Sequence, residues 1–196
     1  MADRKSKVVR ETAETNVRVE LNVDGSGQFE IATGIGMFDH LLTQLAQHGI
    51  FDITISASGT DQHHVVEDVA ISLGKAFNQA LGGKQGITRM AHAIVPMDEA
   101  LSEVVVDIGG RTYSVVEASF SRVNIGELCA ELIRHFLVSV ASEAKINLHA
   151  RVITGISDHH KAESLFKALG RALDSATRID ERLLGRIPST KEVIES

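Results

Sequence analysis

The pentapeptide His63-His-Val-Val-Glu67 returns 96 residues further on as His159-His-Lys-Ala-Glu163, so that both copies read His-His-x-x-Glu. Other features keep step with it. His40 precedes the first pair by 23 residues and His135 the second by 24, and Leu73-Gly-Lys-Ala-Phe77 is answered by Leu169-Gly-Arg-Ala-Leu173 in the same register. Self-similarity held over this length marks an internal duplication, and it constrains the chain to two like halves that pack into one domain.

Local patterns fill in each half. Residues 7–20 alternate β-branched and charged side chains, as on a half-buried strand. Asp24-Gly25-Ser26-Gly27 supplies a hairpin turn, from which a second strand, about Gln28 to Thr33, is expected to return antiparallel. Phe38, Leu41, Leu42 and Leu45 recur at helical spacing over 37–47, the next strand is read at 51–57, and a longer helix runs to Leu81 and stops at Gly82-Gly83 in the left-handed conformation. The second half repeats the order: strands at 93–95, 101–108 and 112–120, a helix from an Asn124 cap with Glu127 as its capping partner, a strand at 146–153, and a long helix at 161–177. The unit is strand-strand-helix-strand-helix, and the fold class is α+β. One domain of 1–196 is expected, with halves at about 1–84 and 85–180 and a tail, 181–196, too short for a unit of its own.

Composition narrows the function. A formal charge of −6 and 4% aromatic residues offer neither a basic footprint nor a stacking surface for nucleic acid. No apolar run approaches the roughly 18 residues of a membrane helix, and the N-terminus lacks the apolar core of a leader. The single Cys129 fits a reducing compartment. A soluble, unprocessed cytoplasmic protein is expected.

The duplicated histidines carry the chemistry. On a helix, His63 and Glu67 share a face, as do His159 and Glu163, so each imidazole and carboxylate can grip one ion. Adjacent residues diverge by about 100°, so the two histidines of a pair serve two different ions. The pseudo-twofold then assigns His63, Glu67, His135 and His160 to one site and His159, Glu163, His40 and His64 to the other. Three imidazoles and a carboxylate suit Zn, Mn, Fe or Co and are wrong for Ca or Mg. The bland alternative, a histidine pair at a helix cap with an incidental glutamate, accounts for either half but not for both in step. His48, His92 and His149 have no spaced partners. Arg89, Arg111, Lys167 and Lys191 are read beside turns or helix ends, where they could bind an anion, and Pro188-Ser-Thr-Lys191 gathers hydroxyls and a cation in one loop.

Six segments in order resemble the imidazoleglycerol-phosphate dehydratase family: Arg10-Glu-Thr-Ala-Glu-Thr15, Thr33-Gly-Ile-Gly-Met-Phe-Asp-His40, His63-His-Val-Val-Glu-Asp68, Val95-Pro-Met-Asp-Glu-Ala100, His159-His-Lys-Ala-Glu-Ser-Leu-Phe-Lys167 and Pro188-Ser-Thr-Lys191. The resemblance implies two four-stranded mixed sheets with helices packed between them. It implies a di-manganese lyase of histidine biosynthesis that dehydrates D-erythro-imidazole-glycerol phosphate to imidazole acetol phosphate, in a 24-subunit homo-oligomer with sites at subunit contacts. All eight proposed ligands match the family's metal positions. Glu14 matches a proton-transfer residue, Gln44 and His48 fall in a substrate-lining segment, and Arg89, Arg111, Lys167, Ser189 and Lys191 match phosphate-holding positions. In that chemistry His40, His64, Glu67, His159 and Glu163 act with Glu14. The substrate's imidazolate form would expel the neighbouring hydroxyl and make the next carbon acidic, for Glu14 to deprotonate. The chain departs from the family in the short loop Gly59-Thr-Asp-Gln62 and in Gly155-Ile-Ser-Asp158. Two other classes use the same histidines: a dinuclear hydrolase of phosphate esters, and a metal-storage assembly that leaves the arginines unexplained.

Overall fold

In a computed structural model that describes residues 4–183 and 185–194, the alternation over 7–20 is broken into two strands. β1 (Lys5–Glu11) and β2 (Thr15–Asn22) pair antiparallel with Val8 opposite Val19. The turn between them has no glycine, proline, asparagine or aspartate. Thr12 makes it instead, its hydroxyl accepting the backbone N–H groups of Glu14 (3.1 Å) and Thr15 (3.0 Å). The hairpin expected after Asp24 is also corrected: β3 (Phe29–Ala32) runs antiparallel to β2 as expected but is not its neighbour, lying instead parallel to β4 (Asp52–Gly59), with Ile31 beside Ile55. The intervening α1 (Gly36–Gly49) makes the crossover that parallel strands need. The sheet order is β1-β2-β4-β3, and α2 (Gln62–Leu81) closes the half.

β5 (Met90–Met97), β6 (Ala100–Asp107), β7 (Tyr113–Glu117), α3 (Glu131–Ala144), β10 (Asn147–Thr154) and α4 (Asp158–Thr177) repeat this plan, in a sheet ordered β5-β6-β10-β7 with β7 parallel to β10. A two-residue ribbon, β8 (Asn124–Ile125) with β9 (Leu128–Cys129), precedes α3. The helix begins at Glu131, later than the Asn124 cap predicts, and Glu127 caps a different helix: its Oε1 accepts the N–H of Met37 at 2.7 Å, at the start of α1. α1 needs this because Ile35, at its N-cap, has no side-chain acceptor. At the end of α2, Gly82 takes φ 48° and ψ −126°, which is outside the left-handed helical basin foreseen for it.

The buried faces of the two sheets, Val17, Val19 and Ile55 on one and Val104, Val106 and Leu148 on the other, join the helices in one apolar cluster. α2 lies on β1 and β2, and α4 on β5 and β6. Each long helix also packs along the short helix of the other half, α2 on α3 and α4 on α1. Two matched glycines allow the approach. A Cβ on Gly74 would come within 2.6 Å of the Val140 carbonyl, and one on Gly170 within 2.6 Å of the Leu45 carbonyl. Side chains such as Leu41, Leu45, Phe136 and Leu165 are wholly buried there, each stabilising by roughly 1.5–3 kcal/mol. Among the described residues no helix is long and apolar enough to cross a membrane.

The tail docks. Gly86 N–H donates to the Arg186 carbonyl (2.8 Å), and Arg89 Nη1 to that of Pro188 (2.7 Å).

Candidate active site

Pairing α2 with α3 and α4 with α1 brings the predicted ligands together in two clusters. His63, Glu67 and His135 form one, and His40, His159 and Glu163 the other, with the ligating atoms of each within 4.8 Å of one another. The clusters are near copies: the rings of His63 and His135 stand 4.9 Å apart at 32°, those of His40 and His159 5.2 Å apart at 33°. Both long helices start at their histidine pairs because a side chain caps each there. Asp61 accepts the N–H of His64 (3.1 Å), and Ser157 that of His160 (3.4 Å).

The helical geometry separates the second histidine of each pair. His63 and His64 stand at 88° to each other, and His159 and His160 at 86°. Within one chain neither His64 nor His160 joins the four-ligand set assigned to it. Their Nδ1 atoms instead face carboxylates, His64 that of Asp61 (3.1 Å) and His160 that of Glu99 (2.7 Å). Glu99 also accepts the N–H groups of Ser157 and Ile156. These bonds, that from Ser157 foremost and then that from His160, hold its carboxyl at about 2, and the same contact raises His160.

The clusters contain chemistry that asks for a cation. Glu163 Oε2 lies 3.1 Å from both His40 Nε2 and His159 Nε2, while Oε1 pairs with Lys167 at 2.7 Å. Burial pushes this carboxyl up, but Lys167 and then His40 outweigh it and hold it at about 2. In the other cluster His135 Nε2 is buried without a hydrogen-bond partner, 3.4 Å from Glu67 Oε1. Two imidazoles and a carboxylate around such an atom fit a borderline divalent metal.

The remaining predicted residues fall in three places. Glu14 projects from the β1–β2 turn, 58% exposed, with Oε2 3.7 Å from His64 Nε2. Gln44 and His48 follow His40 along α1 at helical spacing, with His48 in the field of Lys167, which sits within α4 and not at a helix end as expected. Burial lowers the pKa of His48, and the charges of Lys167 and Arg171 lower it further. Arg89, Arg111, Ser189 and Lys191 line one cavity of about 600 Å³, apart from Lys167. Arg89 is held there by Asp107, at 2.7 and 3.1 Å, as well as by Pro188. Sequence reasoning assigned no role to Glu99, Asp107 or Arg171. Aligning the halves strand by strand would have found Glu99, because Glu14 and Glu99 each stand immediately before the second strand of their half.

The sequence profile of the imidazoleglycerol-phosphate dehydratase family matches residues 33–173. An imidazoleglycerol-phosphate dehydratase of Dehalococcoides mccartyi is 54% identical over 196 residues, covering all of both chains, and one of Methanothermobacter thermautotrophicus is 50% identical over 191, covering 96% of each. A crystal structure of the Staphylococcus aureus enzyme superposes with a TM-score of 0.83 at 32% identity, covering 90% of this chain and 99% of that one. That of the Pyrococcus furiosus protein gives 0.83 at 35%, covering 95% and 99%.

Proposed function

Because the chain belongs to the imidazoleglycerol-phosphate dehydratase family of hydro-lyases in histidine biosynthesis, we propose that it converts D-erythro-imidazole-glycerol phosphate to imidazole acetol phosphate with two divalent transition-metal ions, Mn2+ foremost. The supporting observation is the paired gathering of two imidazoles and one carboxylate, with His135 Nε2 buried and unpartnered in one of them. Such an orphaned atom costs roughly 1–3 kcal/mol, which ligation would remove. His63, Glu67 and His135 would hold one ion, and His40, His159 and Glu163 the other. His64 and His160, with side chains 32% and 29% exposed, complete the sets of neighbouring copies in a homo-oligomer, a 24-subunit particle being the expected form. The enzyme is assigned to the cytoplasm.

Bound ions would supply Lewis acidity that favours the imidazolate form of the substrate. The protein's own groups orient the substrate and handle its proton. Gln44 and His48 flank the substrate beside Lys167. Glu14, exposed and on a turn fixed by Thr12, accepts the proton of the carbon next to the ring-bearing one. Arg111, Ser189, Lys191 and the N–H groups of Arg89 that Asp107 and Pro188 leave unused hold the phosphate.

The test is turnover of imidazole-glycerol phosphate by the purified chain with Mn2+. Formation of imidazole acetol phosphate without inorganic phosphate, lost on chelation and regained with Mn2+, is expected. Release of inorganic phosphate would favour a hydrolase, and ion binding without turnover a storage assembly.

A further inference from the structure

We propose that Glu99 is a positioning residue that fixes His160 in the tautomer presenting Nε2 to a metal ion; this rests on the metal-dependent reading above. The β5–β6 turn carries Glu99 to the loop that leads into α4, with Asp98 at φ 47°, in the left-handed region that aspartate tolerates, turning the chain there. Oε1 accepts the backbone N–H groups of Ile156 (3.1 Å) and Ser157 (2.7 Å), and Oε2 lies 2.7 Å from His160 Nδ1. The two backbone donors have fixed polarity, so the carboxylate they anchor is an acceptor, and the ring must donate to it from Nδ1. A neutral imidazole has one N–H. With that proton on Nδ1, the free lone pair is on Nε2, the form in which a histidine ligates a metal while a carboxylate orients it from behind.

Comparing the halves shows why the task falls to a residue so distant in sequence. In the first half, Asp61 both caps α2 and faces His64 Nδ1 at 3.1 Å. Its counterpart at the α4 cap is Ser157, which brings no carboxylate, and the neighbouring Asp158 is committed to Ser121, at 2.8 Å from the hydroxyl, and to the backbone N–H of Arg122 at 2.9 Å. Glu99 fills that gap. Glu14, at the matching place before β2, is released from it and stands exposed by the opposite nitrogen of His64. One duplicated turn thus leaves its glutamate free in one half and anchored in the other, where the exposed Asp98 of the same turn stands 3.9 Å from His160 Nε2.

Mn2+ titration with free ion read by electron paramagnetic resonance tests the role, using whole-chain wild type, Glu99→Gln, Glu99→Asp, His160→Ala and the Glu99→Gln/His160→Ala double variant. In Glu99→Gln the amide carbonyl stays on the Ile156 and Ser157 N–H groups and the NH2 turns toward Nδ1, moving the ring proton to Nε2. One of the two ions per chain is then expected to bind about 10–100-fold more weakly, with the other unchanged. Glu99→Asp, which keeps a carboxylate, is expected to fall between wild type and Glu99→Gln, and Glu99→Gln to add no further loss in the His160→Ala background. Wild-type affinity in Glu99→Gln, equal losses in the Asp and Gln variants, or additive losses in the double variant overturn the role of Glu99. A wild-type chain that takes up no Mn2+ overturns the metal-dependent reading beneath it.

Discussion

The two His/Glu clamps have nearly the same ring geometry and different electrical surroundings. Glu163 is buried, 9% exposed, and its second oxygen pairs with Lys167, whereas the Glu67 side chain is 38% exposed and Ile71 stands where the second half has Lys167. Duplication therefore preserved where the imidazoles and carboxylates sit and changed how much negative charge each clamp offers. Glu163 shares its charge with an ammonium, so the ion held with His40 and His159 is expected to leave first when Mn2+-loaded protein is titrated with a chelator. Simultaneous loss of both ions would make the clamps electrically equal.

The largest contrast lies between the turn glutamates. Glu14→Gln is expected to lower kcat by about 10²–10⁴-fold, the usual span for general-base loss, while Mn2+ content stays at two per chain; intact turnover would remove Glu14 from the proton transfer. The clamp carboxylates come next. Glu67→Gln and Glu163→Gln should each lose one ion, read by metal analysis, and full occupancy in either would end the crossed assignment. Only Glu163→Gln leaves a largely buried ammonium unpaired, so in denaturant titrations of metal-free protein it should cost about 2–4 kcal/mol, against about 1 kcal/mol or less for the more exposed Glu67.

Gly74→Ala and Gly170→Ala probe where the halves agree. Each added methyl meets a backbone carbonyl of the facing helix at 2.6 Å, and equal losses of about 1–3 kcal/mol are expected. A smaller effect than at the glycines is expected at Asp52, which accepts the N–H groups of Ser26 (2.8 Å) and Gln28 (3.1 Å), while the matching residue of β10 is Asn147. Those bonds, that from Ser26 foremost, lower the Asp52 pKa below its ordinary 3.8. Its stabilisation is thus complete above the unfolded value and lost as pH falls through the lower folded one. Asp52→Asn should cost about 1 kcal/mol near neutrality and nothing in strong acid, as pH-dependent unfolding would show.

Periodicity revealed what depends on regular geometry. The four helices, the clamps at i and i+4 and the divergence of adjacent histidines follow from 3.6 residues per turn, and all appear in the structure. Non-local pairings left no such trace. The β1–β2 turn hides in unbroken alternation because a threonine hydroxyl builds it, and the parallel placing of β3 depends on which strand it meets after α1. Glu127 read as a local cap and is spent on a helix about 90 positions away, and Glu99 could be located only by laying one half on the other. At the candidate site the gathering of imidazoles and carboxylates was legible because the histidine and glutamate of each clamp lie on one helix, while other groups that contact them come from elsewhere in the chain.

The exchange of helices between halves, α2 on α3 and α4 on α1, is the arrangement of a symmetric pair of subunits tied together by the segment that follows α2. A tether of this kind replaces a concentration-dependent encounter with an intramolecular one at an effective concentration in the millimolar range. It also lifts a restriction. In a pair of identical subunits every substitution appears twice, so a glutamate could not be anchored in one copy and free in the other. Written as one chain, each half can change on its own, and an asymmetric task such as proton transfer beside a fixed ligand becomes open to a scaffold that began as symmetric.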